Sequence, residues 1–142
     1  MDKFKQLETP FYYYDMELLR TTLDTVKKET LNKPFHVHYA LKANANPRLL
    51  REIASYGFGA DCVSGNEVLL ALECGFSPDN IVFAGVGKTD KEIHIGLDND
   101  IFCFNAESIP ELEVINALAG EKRKRVRVAL RTLFSSINDL YL

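Results

Sequence analysis

The 142-residue sequence has no tryptophan, only two methionines and three cysteines, and no dominant charge of either sign. Seventeen Lys and Arg stand against twenty Asp and Glu, a formal net charge of -3, so the overall balance selects neither nucleic acid nor anionic lipid as a partner. No apolar run approaches the roughly 18 residues that would span a bilayer, and the start MDKFKQLETP lacks the apolar centre of a secretory signal. The expectation is a cytoplasmic protein with no membrane and no nucleic-acid partner. Cys62, Cys74 and Cys103 are odd in number, widely spaced and without a C-x-x-C pair, which excludes a disulfide framework or zinc knuckle and leaves buried free thiols.

The composition, 46% apolar and 26% charged, is that of one soluble globular unit. Short runs rich in β-branched and aromatic residues alternate with amphipathic stretches of ten or more, which is a βα repeat. Candidate strands are His36–Leu41, Ala60–Val63, Ile81–Gly85, Ile101–Phe104 and Val126–Arg131, with starts 24, 21, 20 and 25 residues apart. Each interval holds one strand plus one helix. Asn46-Pro47 supplies a capping side chain and a first-turn proline. Ser64-Gly-Asn-Glu67, Thr89-Asp-Lys-Glu92 and Ser108-Ile-Pro-Glu111 match the capping box. Gly57, Gly75 and Gly120 are expected to close helices, and a further amphipathic helix from about Asp15 to Thr30 precedes the first strand.

Regular alternation implies a parallel sheet covered by helices, because parallel strands require crossover connections. An open doubly wound sheet and a (β/α)8 barrel both fit. A barrel needs eight units and about 250 residues, so five strands would make about half of one.

The most informative stretch is His36-Val-His-Tyr-Ala-Leu-Lys-Ala-Asn-Ala-Asn-Pro47, which places Lys42 at the carboxyl end of a strand. A desolvated lysine has its pKa lowered, which frees the amine for carbonyl chemistry; the alternative is a lysine just past the strand, pointing into water. Strand alternation would put Ala40 and Lys42 on one face with His36 and His38. The histidines read as packed or rim side chains, since no carboxylate or cysteine at ligand spacing joins them in a metal site. Asp61, inside a short buried run, calls for a cationic or donor partner. Gly87-Lys88-Thr89 looks like the end of a phosphate-cradling loop, but Val82 stands where that motif requires glycine. Glu121-Lys-Arg-Lys-Arg-Val-Arg127 reads as a solvated turn, whereas Arg131 is a cation on the side where α/β proteins hold ligands.

Tyr39-Ala-Leu-Lys-Ala-Asn44 resembles the lysine motif of pyridoxal-phosphate enzymes with an alanine-racemase-type barrel, which include diaminopimelate, ornithine and arginine decarboxylases. Thr9-Pro-Phe-Tyr-Tyr-Tyr-Asp15, Asp61-Cys-Val-Ser-Gly-Asn-Glu67, Phe83-Ala-Gly-Val-Gly-Lys-Thr89 and Asn105-Ala-Glu-Ser-Ile-Pro-Glu-Leu112 narrow the resemblance to the diaminopimelate decarboxylase family. It implies a partial (β/α)8 TIM barrel of alanine-racemase type. Pyridoxal 5'-phosphate would be the cofactor and meso-diaminopimelate the substrate, decarboxylated to L-lysine. The full-length relative is expected to be a homodimer. Lys42 would hold the cofactor aldehyde through its amine, Ala40 would line the ring edge, Asp61 would sit beside the lysine, and Arg131 would hydrogen-bond the ring substituents. Glu67 is a further cofactor contact on the same grounds, with Asn66 where relatives carry glycine. Relatives continue past the strand-terminal arginine with Ile-Asn-Pro. Here Thr132-Leu-Phe-Ser-Ser-Ile-Asn-Asp-Leu-Tyr-Leu142 follows, so the expectation is a barrel portion over residues 1–131, an atypical truncated tail over 132–142, no carboxyl-terminal β-domain, and no activity from the piece alone.

Overall fold

The structure is a computed structural model that describes residues 4–131; the expected atypical tail over residues 132–142 lies outside the described residues. Two compact units divide the chain, Met1–Lys33 and Pro34–Leu142. In the first, helix α1 spans Met16–Thr30. Asp15 starts it as an extended residue whose Oδ1 accepts from the Glu17 and Leu18 N–H groups at 3.0 Å each, the donors that a first helical turn leaves unpaired. Lys27 and Lys28 sit in the last turn, complementing the negative end of the helix dipole. Ahead of α1, Phe4 packs edge-on to Tyr13 at 4.9 Å and against Phe11 at 5.7 Å.

The second unit alternates strand and helix: β1 His38–Ala40, α2 Pro47–Ser55, β2 Gly59–Cys62, α3 Gly65–Glu73, β3 Ile81–Phe83, α4 Asp90–Asp98, β4 Cys103–Ala106, α5 Ile109–Glu121 and β5 Val128–Leu130. All five strands are parallel and lie in chain order β1-β2-β3-β4-β5. That order decides between the two architectures. A doubly wound sheet reverses direction at a switch point, whereas this one advances one neighbour at a time, as barrel strands do. Among the described residues the arc stays open, with β1 and β5 each paired on one side.

The register explains what each side chain does. Ala40, Asp61 and Val82 are successive ladder partners, and so are Cys62, Phe83, Phe104 and Val128. Because alternate residues face opposite ways, the second row joins Ala60 and Ile81 under the helices, and the first lies on the uncovered face. Burial follows that division in the middle of the sheet, where Ala60, Cys62, Ile81, Phe83 and Phe104 are fully buried and Asp61, Val82 and Asn105 half-buried; Cys103, the partner of Val82, is buried as well, and Val128 at the edge is half-buried. Leu50, Val68, Ile93, Leu97 and Ile115 cover them from the helical side, and Phe83 meets Phe104 at 6.0 Å. The cysteines are buried free thiols as expected. Burial, with Glu67 and Asp61 adding to it, pushes the Cys62 thiol up to about 12.

Several expected boundaries shift. The first strand pairs only over His38–Ala40, and Phe35 and His36 are exposed. Pairing in the second begins at Gly59, ends at Phe83 in the third, runs on to Ala106 in the fourth and covers only Val128–Leu130 in the fifth. Gly120 does not close a helix. It lies inside α5, which ends at Glu121, and Arg123 with φ +53° makes the left-handed turn. The basic junction is more than a solvated turn: Lys122 pairs with Asp98, and Lys124 donates to Leu97 O at 2.6 Å and Asp100 Oδ1 at 2.8 Å, binding the carboxyl end of α4.

Two helical glycines separate packing from propensity. A Cβ at Gly96 would lie 2.5 Å from Cζ of the buried Phe104, whereas one at Gly120 meets nothing within 4 Å. Gly120→Ala is expected to stabilise the chain by about 0.5–1 kcal/mol and Gly96→Ala to destabilise it by about 1–3 kcal/mol, read as opposite shifts of the urea midpoint.

Candidate functional site

A parallel sheet sends every strand's carboxyl end to one side, and the candidate residues gather there. Lys42 follows β1 within a single 3₁₀ turn, Leu41–Ala43. The preceding strand therefore does not extend its alternation to Lys42, and the side chain is exposed rather than buried as a strand-end lysine. The turn itself is tightly built. Leu41 is fully buried, Asn44 N–H donates to Leu41 O at 3.1 Å, and the Tyr39 hydroxyl donates to Asn44 O at 3.1 Å. Asn44 Oδ1 accepts from Asn46 N–H at 3.0 Å, and Asn46 Oδ1 from Arg48 N–H at 3.0 Å, starting α2. The residues flanking Lys42 in its motif thus hold the turn that presents it. No hydrogen bond or ion pair with a described residue engages its amine.

Asp61 lies on the uncovered face, its Cα opposite Ala40. The partner expected for it is not found among the described residues, because alternation places it outside the helix-covered core that would demand one. His38 shares that face, its ring resting against Gly59, with Nε2 buried and without a hydrogen-bond partner. Arg131 is exposed at the end of β5. Its N–H donates to Ala106 O at 2.8 Å, and its Nη1 lies 3.6 Å from Glu107 Oε1. Glu67 is half-buried and accepts from the Val63 N–H at 2.7 Å.

Glu67 is one of three glutamates in the third position of their helices. Only Thr89 and Glu92 close a reciprocal capping box. Ser64 and Ser108 cap in the usual way, but Glu67 and Glu111 each reach one residue further back, to the N–H groups of Val63 and Glu107. These carboxylates thus bind strand ends as well as helix starts. Glu92 adds the Gly65 N–H at 3.0 Å, joining α3 to α4. The N–H groups of Gly65 and Thr89 and the Thr89 hydroxyl hold its carboxyl below the ordinary value of 4.5, against a smaller opposing effect of burial.

Lys88 is the residue that motif reading missed. Its side chain is 1% exposed, and its ammonium donates to Gly85 O at 2.8 Å, Asn105 O at 2.7 Å and Glu111 Oε1 at 2.8 Å. All three protons are used, and the Phe83 ring lies 5.3 Å below. The loop can fold back over the ammonium because Gly85 and Gly87 take φ +92° and +70°, and a Cβ at Gly85 would come within 3.0 Å of Val63 O. The available signal was a lysine between a glycine turn and a capping box, with a glutamate at the third position of the next helix. A cleft of about 370 Å³ opens over this pair, walled by Val86, Ile93, Pro110 and Val114.

Comparison with known proteins fits this arrangement. The family described as pyridoxal-dependent decarboxylase, pyridoxal binding domain, matches residues 17–136. The chain belongs to the pyridoxal-dependent decarboxylases. It is 57% identical over 132 residues to diaminopimelate decarboxylase of Bacteroides thetaiotaomicron, covering 92% of this chain and 34% of that protein. It is 38% identical to L-glutamyl-[BtrI acyl-carrier protein] decarboxylase of Niallia circulans, over 89% of this chain and 29% of the relative. The crystal structure of diaminopimelate decarboxylase from Helicobacter pylori complexed with L-lysine superposes with a TM-score of 0.83 at 37% identity, covering 92% of this chain and 33% of that one. The chain thus spans about a third of the length of the decarboxylases it matches.

Two outcomes follow for the decarboxylase rim. Lys88→Met takes the cation from the largely buried Glu111 carboxylate, leaving it only the Glu107 N–H, and is expected to cost about 3 kcal/mol, most of which Lys88→Met with Glu111→Gln restores; chemical denaturation of the three chains measures both. Glu92, with its carboxyl lowered on folding, contributes stability that is fully present above 4.5 and is lost as pH falls through the folded value. Replacing Glu92 by Gln should flatten the fall of melting temperature below that pH, and an unchanged slope would refute the assignment.

Proposed function

We infer that the carboxyl rim of this sheet is part of a pyridoxal-phosphate site, and that the reaction it serves is decarboxylation of meso-diaminopimelate to L-lysine. One observation carries the reading: a lysine amine with no partner among the described residues, held by a hydrogen-bonded turn, follows a strand whose ladder neighbour carries an equally unengaged carboxylate. The donor set fits the group. Lys42 offers an amine to an aldehyde, Asp61 a negative charge, Ala40 a small side chain beside a planar ring, and Arg131 hydrogen-bond donors at the far end of the arc.

Bound there, the cofactor supplies the sink for the electrons left behind when a carboxylate departs as carbon dioxide. The protein's share is attachment, orientation and exclusion of water. Lys42, presented by its hydrogen-bonded turn, would hold the aldehyde of the cofactor through its Nζ. Asp61, on the strand that pairs with β1, would set a negative charge beside that group. Glu67, one oxygen bound to the Val63 N–H, fixes the end of β2 and sets a second negative charge at the rim. The substrate assignment rests on the stretch Phe83–Thr89 and on the relative 57% identical in sequence, since a decarboxylase of another substrate shares much of the chain. A cytoplasmic location and a homodimer of the complete enzyme belong to the same reading, as does the lack of turnover by five strands alone.

Borohydride reduction of the chain with pyridoxal phosphate, followed by mass mapping, tests it. Lys42 should be labelled at lower cofactor concentration than the exposed Lys91, and Lys42→Arg should remove that early label. Equal labelling of both, or labelling elsewhere first, would sink the assignment. No lysine should form from diaminopimelate with the 142-residue chain.

A further inference from the structure

The carboxyl end of β4 carries a chain of contacts that no capping requirement explains. Lys88 donates to Asn105 O at 2.7 Å. Glu111, bound to Lys88 through Oε1 at 2.8 Å, uses Oε2 to accept from the Glu107 N–H at 2.7 Å. Between these two anchors, Ala106 O accepts from the Arg131 N–H at 2.8 Å, and the Glu107 carboxylate lies 3.6 Å from Arg131 Nη1. Asn105 and Ala106 therefore each hold one link and Glu107 holds two, and both the backbone and the guanidinium of Arg131 attach to a segment that Lys88 and Glu111 fix from behind.

We propose that Lys88, Glu111 and Glu107 are positioning residues that act through Arg131, fixing the direction in which it meets the cofactor. This rests on the cofactor reading above. A buried, fully bonded ammonium is rigid, and rigidity at Lys88 passes to Glu107 through a single carboxylate whose two oxygens are both committed. Glu107, 18% exposed, confines a guanidinium that is itself 65% exposed and, without that carboxylate, samples many rotamers. Confinement before binding removes an ordering cost that binding would otherwise carry. The contact between Glu107 and Arg131 is partly solvated, so its effect is modest and graded, as expected of a residue that aims another.

The test titrates pyridoxal phosphate against the 142-residue chain, reads borohydride-fixed label on Lys42 by mass, and records a melting temperature for each variant. Glu107→Gln should raise the half-labelling concentration about threefold with an unchanged melting temperature, and Glu107→Asp should recover part of the loss. Lys88→Met should raise it at least as far. On an Arg131→Met background neither Glu107→Gln nor Lys88→Met should raise it further, because the residue they act through is gone. Structural damage alone would lower the melting temperature of Glu107→Gln; for Lys88→Met, which loses stability in either case, it would add its full factor on that background. A wild-type chain that labels Lys42 early while Glu107→Gln matches it overturns the relay alone, as does a Glu107→Gln effect that persists in full beside Arg131→Met. A wild-type chain without early label on Lys42 overturns the cofactor reading and the relay with it. Should Lys88→Met not fold, the Glu107 and Arg131 variants still decide the matter.

Discussion

An ammonium ion can be taken out of water only if oxygen atoms replace what water provided, and Lys88 meets that condition with three. Its acceptors come from three places: the loop after β3, the end of β4 and the first turn of α5. Satisfying one charge therefore fixes the relative placement of two strand ends and a helix start. The carboxyl rim of the sheet inherits its geometry from this point, because the loop curvature at Gly85 and Gly87 and the placement of the Glu107 backbone are both tied to it.

The same logic recurs at lower intensity. β2, β3 and β4 each lead through a short loop into a helix whose first turn leaves N–H groups unpaired; a hydroxyl caps that turn, and a carboxylate three positions in reaches back to the N–H at the cap or just before it. In this chain those carboxylates do two jobs. Glu67, Glu92 and Glu111 each reach beyond their own cap to a strand end, a neighbouring helix or a buried cation. A device known for local helix stability thereby becomes a tie between successive βα units, and the rim that presents Lys42, Asp61 and Arg131 is stitched along its length.

Much of this was legible in the residues. Period and punctuation found all five strands and all five helices of the described chain, since alternation of apolar runs with capped amphipathic stretches is a local signal. Strand limits were less accurate because pairing ends where partners end, as at β1, where Val37 still accepts from Gly59 although His36 is already exposed. Gly120 misled because a glycine near a helix end satisfies the same pattern whether it takes the left-handed turn or Arg123 does. Lys42 and Asp61 were recognisable from motif, but their surroundings were not. Their lack of partners reflects which face of the sheet is covered, a property of register and strand number that spacing does not encode. Lys88 escaped notice for the opposite reason: two of its three partners are 17 and 23 residues away, and only the fold brings them together.

The strictly sequential strand order has a kinetic side. Every ladder joins segments separated by one helix and its loops, so no pairing has to wait for a distant stretch of chain, and the entropy of loop closure stays small at each step. Such a sheet can grow by accretion in the direction of synthesis. Each newly emerged strand finds its template already displayed by the previous one, and the Lys88 clamp can snap shut once the first turn of α5 has left the ribosome.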